Sequence, residues 1–85
     1  MPAESDEQPA GTIELDVRAL PHAGRHEQIF GRLEALESGG RLVIVNDHDP
    51  KPLHYQLEAM WPDRFSWSYL ESGPETWRVA ISRGA

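Results

Sequence analysis

The fold expected from the sequence is an α+β two-layer sandwich in the order β-α-β-α-β-β, a four-stranded mixed sheet with two helices on one face. Three observations predict it. Apolar and polar residues alternate around 13–17, 65–69 and 77–81. Apolar residues recur at helical spacing over 23–37 and 53–60. Between the helical stretches stands one unbroken apolar run, Leu42-Val43-Ile44-Val45. A period of two marks a strand with one buried face, and a period near 3.6 marks an amphipathic helix.

Taken in order, Ile13, Leu15 and Val17 alternate with Glu14 and Asp16, which predicts a first strand ended by Ala19-Leu20-Pro21, because proline cannot continue a ladder. Ile29, Phe30, Leu33 and Leu36 predict a helix over 23–37, stopped by Gly39-Gly40. Gly31 inside it costs stability relative to alanine, and a close approach to the sheet would explain it. The run 42–45 suits a central strand covered on both faces. Strand, helix, strand in so few residues implies a right-handed parallel crossover. Asp49 is placed to cap a second helix with Pro50 as its first residue. Leu53, Leu57 and Met60 mark its buried stripe, and Trp61-Pro62-Asp63 ends it. Phe65, Trp67 and Tyr69, then Trp77, Val79 and Ile81, predict a hairpin around Ser72-Gly73-Pro74-Glu75. Trp67 and Trp77 fall at core phase, and Trp61 is the tryptophan expected to be exposed. Residues 1–11 carry three acids, Glu4, Asp6 and Glu7, and no bulky apolar side chain after Met1. They are expected to form a disordered acidic tail before a single domain over 12–85.

Composition narrows the function. The 85 residues suffice for one domain, and the formal charge is −6, with 14 acids against 8 Lys and Arg. That sign opposes binding to duplex nucleic acid or to an anionic membrane surface. There is no cysteine, so a disulfide, a thiolate nucleophile and a persulfide carrier are excluded. The same absence fits a reducing compartment, and a cytoplasmic location is expected. No apolar run is long enough to span a bilayer, and the acidic start lacks the features of a signal peptide. A monomer is expected.

Four stretches carry a resemblance to a known family: Leu15-Asp16-Val17-Arg18-Ala19-Leu20-Pro21, Leu42 through Asn46-Asp47-His48-Asp49-Pro50-Lys51-Pro52-Leu53, Phe65-Ser66-Trp67 and Trp77-Arg78-Val79. Together they resemble the uncharacterised DUF2249 family over about residues 13–83. That family is similar in fold to the TusA/SirA sulfur carriers, whose Cys-Pro-x-Pro cysteine would fall near His22. Here the loop reads Leu20-Pro21-His22-Ala23-Gly24, so the resemblance implies the fold without the sulfur chemistry. It also implies a role beside hemerythrin-like or cupin-type proteins, in iron, oxygen or nitrogen-oxide metabolism.

In a parallel β-α-β unit the ends of the first two strands lie side by side, and their loops open at one rim. Asp16, Arg18, His22 and His26 belong to the first loop. Asp47, His48, Asp49 and Lys51 belong to the second. These eight are the candidate residues for a ligand or partner. The first reading of function is a non-catalytic binding or adaptor domain that uses this rim. The alternative is a redox or sensor domain in which His22, His26, His48 and His54 hold zinc, iron or haem. Each group also has a structural reading. His48 and the aspartates could tie the turn, and Asp16 and Arg18 could form an ion pair with neighbours or with Asp47. A further option is an anion site made by Arg18, Arg25 and the amino end of the first helix. Lys51 in a helix first turn opposes the macrodipole, a weak pointer to function. No phosphate loop, nucleophile elbow or His-Glu-x-x-His is present.

Overall fold

The computed structural model describes residues 12–84. The expected acidic tail over 1–11 lies outside the described residues. The elements are β1 (Thr12–Asp16), a 3-10 turn (Val17–Ala19), α1 (Arg25–Glu34), β2 (Arg41–Asn46), α2 (Lys51–Met60), β3 (Phe65–Ser72) and β4 (Trp77–Arg83). The order is the β-α-β-α-β-β of the sequence reading.

The sheet runs β1-β2-β4-β3. β1 and β2 are parallel, with Ile13 opposite Leu42 and Leu15 opposite Ile44. β4 is antiparallel to β2, pairing Ile81 with Leu42 and Val79 with Ile44, and also antiparallel to β3. Leu42, Ile44, Val79 and Ile81 therefore share one face. Ile29, Leu33 and Leu36, and Leu53 and Leu57 of α2, bury themselves against that face together with Val17. Both helices cover the same side, which makes a two-layer sandwich.

Among the described residues the opposite face carries no helix, contrary to the expectation for β2. Val43 and Val45 are buried there all the same. Arg78 on β4 and Glu14 on β1 approach each other across β2, Nη2 to Oε2 at 3.7 Å.

Several element ends differ from the sequence reading for local reasons. β1 stops at Asp16 because that carboxylate accepts the Arg18 N–H at 3.0 Å and starts the 3-10 turn. Val17 is nevertheless fully buried. α1 begins only after Gly24, which sits at φ 81° and so breaks helical geometry before Arg25. α2 begins one residue later than expected. Pro50, not Asp49, is its cap position, and the Pro50 carbonyl accepts from Leu53 and His54. Met60 is 52% exposed, and Trp61 packs against the core instead. Trp67 also packs against the core, while Trp77 is half-buried with its ring over Gly73, which has φ 79°.

Gly31 makes no close approach to the sheet, since a Cβ built there would meet nothing within 4 Å. No packing contact accounts for this glycine, and its entropic cost remains. Gly31→Ala should stabilise the domain by roughly 0.5–1 kcal/mol. Urea unfolding checks this, and a loss of stability would show a contact that the fold does not contain.

Candidate functional site

Parallel pairing makes β1 and β2 exit at the same edge of the sheet. The chain leaving β1 turns through Val17–Ala19 into α1, and the chain leaving β2 turns through 47–50 into α2. Between them lies a cleft of about 100 Å³. Its first side is His22, Arg25 and His26; its second is Asn46, His48 and Pro50; Ile29 and Leu53 line it from the core side. Three of the four histidines thus meet at one opening. His22 precedes α1, so it reaches the cleft from the loop and does not share a helical face with His26.

Local pairing sets the charges around the opening. Asp16 accepts from Arg18 Nε at 2.8 Å and Nη2 at 2.7 Å, a two-pronged contact between exposed groups. The Arg18 hydrogen bonds hold the Asp16 carboxyl below its ordinary value, and Asp16 in turn raises the Arg18 guanidinium. Arg18 therefore pairs with Asp16 itself, and Asp47 acts on it only as a more distant charge. His48 Nδ1 lies 2.7 Å from Asp47 Oδ1. An ionised carboxylate only accepts, so Nδ1 carries the proton in this contact and Nε2 stays available. The bond lowers the Asp47 carboxyl, with a smaller contribution from the Arg25 charge.

Arg25 is anchored without being neutralised. Its Nη2 donates to the Leu20 carbonyl at 2.8 Å, and no carboxylate is in ion-pair contact with it among the described residues. Its Nε is buried without an acceptor. Asn46, 6% exposed, accepts the Asp47 N–H at 2.8 Å through its side-chain oxygen. The amide NH2 is the group it has left to offer. The anion site expected around both arginines contracts to Arg25, because Arg18 is bound to Asp16.

Other candidate residues lie elsewhere. Asp49 accepts the Tyr69 hydroxyl at 2.7 Å, tying the second loop to β3. Partial burial and this bond push the Tyr69 phenol above its ordinary value. Lys51 is exposed in the first turn of α2. His54 stacks on Trp67, ring centroids 4.4 Å apart and planes 7° from parallel, with Glu58 3.9 Å away. It does not line the cleft, so the four-histidine set does not assemble. Among the described residues, no three His, Asp or Glu side chains are grouped to hold a metal ion.

Arg25 and Asn46 are cleft residues that stand outside the eight candidates drawn from the sequence. Arg25 appeared there only in the anion alternative. Asn46 had a readable signal, as the polar end of a run otherwise wholly apolar.

The family model described as "Uncharacterized conserved protein (DUF2249)" matches residues 14–83. The chain belongs to that family. No curated protein and no solved structure gives a significant match. None of the helices in the described residues is long and apolar enough to cross a membrane.

The Asp16–Arg18 pair gives a pH prediction. A carboxyl whose folded value is lowered contributes stability above its unfolded value, and that contribution disappears as pH falls through the folded value. In an NMR titration Asp16 should have its midpoint below 3.8. Arg18→Ala should raise it, because the hydrogen bonds that hold the carboxyl down are removed. A wild-type midpoint at or above 3.8 would refute the pairing in solution.

Proposed function

We propose that this chain is a non-catalytic binding or adaptor domain, whose cleft between the two βα loops receives one acidic group of a partner protein. The observation that carries the reading is the cleft itself, where Arg25, three histidines and the Asn46 amide come together from two loops. Its size argues for a single side chain. Sites for whole small molecules occupy about 300–1,000 Å³, against about 100 Å³ here. The chemistry argues for an acid. Among the described residues Arg25 has no carboxylate in ion-pair contact, and the amino end of α1 has no side-chain cap, so its free N–H groups favour negative charge.

The element order shared with the TusA/SirA carriers supports kinship at the level of the fold. Recognition is the function such a scaffold retains without its cysteine. Hemerythrin-like or cupin-type proteins are the partners that the family resemblance suggests. A resident zinc, iron or haem is the weaker reading, because His54 stands apart from the other three histidines.

N-acetylaspartate and inorganic phosphate serve as probes in an NMR titration of the whole chain. N-acetylaspartate should shift His22, Arg25, His26, Asn46 and His48 together. A charge-assisted hydrogen bond contributes about 1.5–3 kcal/mol, so Arg25→Gln should weaken binding roughly tenfold or more. Arg32→Gln, an exposed cation late in α1 that does not line the cleft, should change it little. Phosphate binding with no N-acetylaspartate binding would reassign the ligand, and equal binding by the Arg25 variant would end the proposal. A purified hemerythrin-like protein should shift the same resonances; if it shifts none, that partner is wrong.

A further inference from the structure

A second cavity opens at the other end of the sheet from the cleft, where β4 finishes and β3 begins. It has a volume of about 290 Å³ and is lined by Ser38, Pro62, Asp63, Arg64, Arg83 and Gly84. Three segments meet there: the turn from α1 into β2, the turn from α2 into β3, and the end of β4. Main-chain hydrogen bonds fasten them together. Gly39 N–H donates to the Arg83 carbonyl at 3.0 Å, Arg83 N–H to the Gly40 carbonyl at 2.9 Å, and Gly84 N–H to the Arg64 carbonyl at 3.1 Å.

Two arginines reach this cavity from different segments, and both stand on the helix side. Arg83 is opposite Phe65, which packs against the core, and directly opposed residues share a face. Arg83 Nη1 donates to the Leu36 carbonyl at the end of α1. That neutral acceptor orients the guanidinium without cancelling its charge. The Arg64 guanidinium carbon lies 5.9 Å from the ring centroid of Trp61, which also packs against the core. An aromatic face attracts a cation and leaves it charged. Among the described residues neither arginine has a carboxylate in ion-pair contact. Asp63 lines the same cavity, yet it is in no such contact with them either. The chain has a net charge of −6 and only 8 Lys and Arg, so two uncompensated arginines on one cavity do not follow from a basic composition.

We infer that this cavity binds a small phosphomonoester, at a site separate from the cleft. A carboxylate has two oxygens and one charge, which a single guanidinium fork satisfies. A phosphomonoester has three terminal oxygens and close to two negative charges, so it engages two forks at once. Two arginines against one aspartate leave the cavity positive. Its size selects an organic phosphate over the bare ion. At about 290 Å³ it is larger than the cleft, at about 100 Å³, and it approaches the roughly 300 Å³ at which sites for whole small molecules begin. The organic portion meets the Asp63 carboxylate, which accepts from a hydroxyl, and the Ser38 hydroxyl, which accepts or donates.

Glycerol phosphate and inorganic phosphate, titrated separately into the whole chain and followed by NMR, test this. Glycerol phosphate should shift Ser38, Asp63, Arg64, Arg83 and Gly84 together. It should do so equally in Arg25→Gln, which lacks the arginine of the cleft, so failure here is read apart from failure there. Inorganic phosphate should bind the same residues more weakly. Removing one charge-assisted contact in Arg64→Gln should weaken glycerol phosphate roughly tenfold or more. Arg83→Gln should do the same from the other strand, and the melting curve of each variant establishes that it folds. Glycerol phosphate that leaves these residues unshifted, or that binds folded Arg64→Gln as tightly as wild type, would overturn the site. Inorganic phosphate binding as tightly as glycerol phosphate would overturn the organic ligand.

Discussion

The parallel contact between β1 and β2 is the constraint from which the rest of this molecule follows. Parallel neighbours cannot be joined by a tight turn, so the chain must cross the sheet as a helix before returning. That crossover is α1, and its Ile29 and Leu33 close over the face carrying Leu42 and Ile44. The same geometry sends both strand exits to one edge. A core of aliphatic side chains therefore dictates where His22, Arg25, His26, Asn46 and His48 can meet, although none of the histidines is part of that core.

The charges around the opening shape it more than they hold it together. Asp16 with Arg18 and Asp47 with His48 are exposed pairs between near neighbours in sequence. Such pairs contribute little to stability, yet they fix turns and side-chain directions. Asp16 turns the chain into the 3-10 segment, and Asp47 sets the tautomer of His48. Asp49 holds the second loop to β3 through Tyr69. Arg25 is left with the Leu20 carbonyl as its partner and, among the described residues, no carboxylate in ion-pair contact.

Much of this was legible in the sequence. Order, sheet class and core phase could be read from alternation and helical spacing, because burial of one face imposes those periods directly. The parallel crossover put the loops that carry His22, His26 and His48 at one rim, but whether the side chains meet there was not legible. What was not legible depends on contacts between distant segments. Asp49 looks like a helix cap in a one-dimensional reading, since nothing local reveals Tyr69 twenty residues on. His54 sits close in sequence to the second loop, but helical rotation carries it to Trp67. Met60 keeps the phase of the buried stripe, but Trp61 is the larger ring and packs against the core. Arg25 reads as one more exposed helical charge until the Leu20 carbonyl is seen to hold it.

The central claim is that the two loops act as one site, and a double-mutant cycle on N-acetylaspartate binding tests it most directly. Arg25→Gln and His48→Gln remove one cleft group from each loop. Groups that act on one ligand should show a coupling of at least about 0.5 kcal/mol. Additive losses, with no coupling between the loops, would contradict a shared cleft.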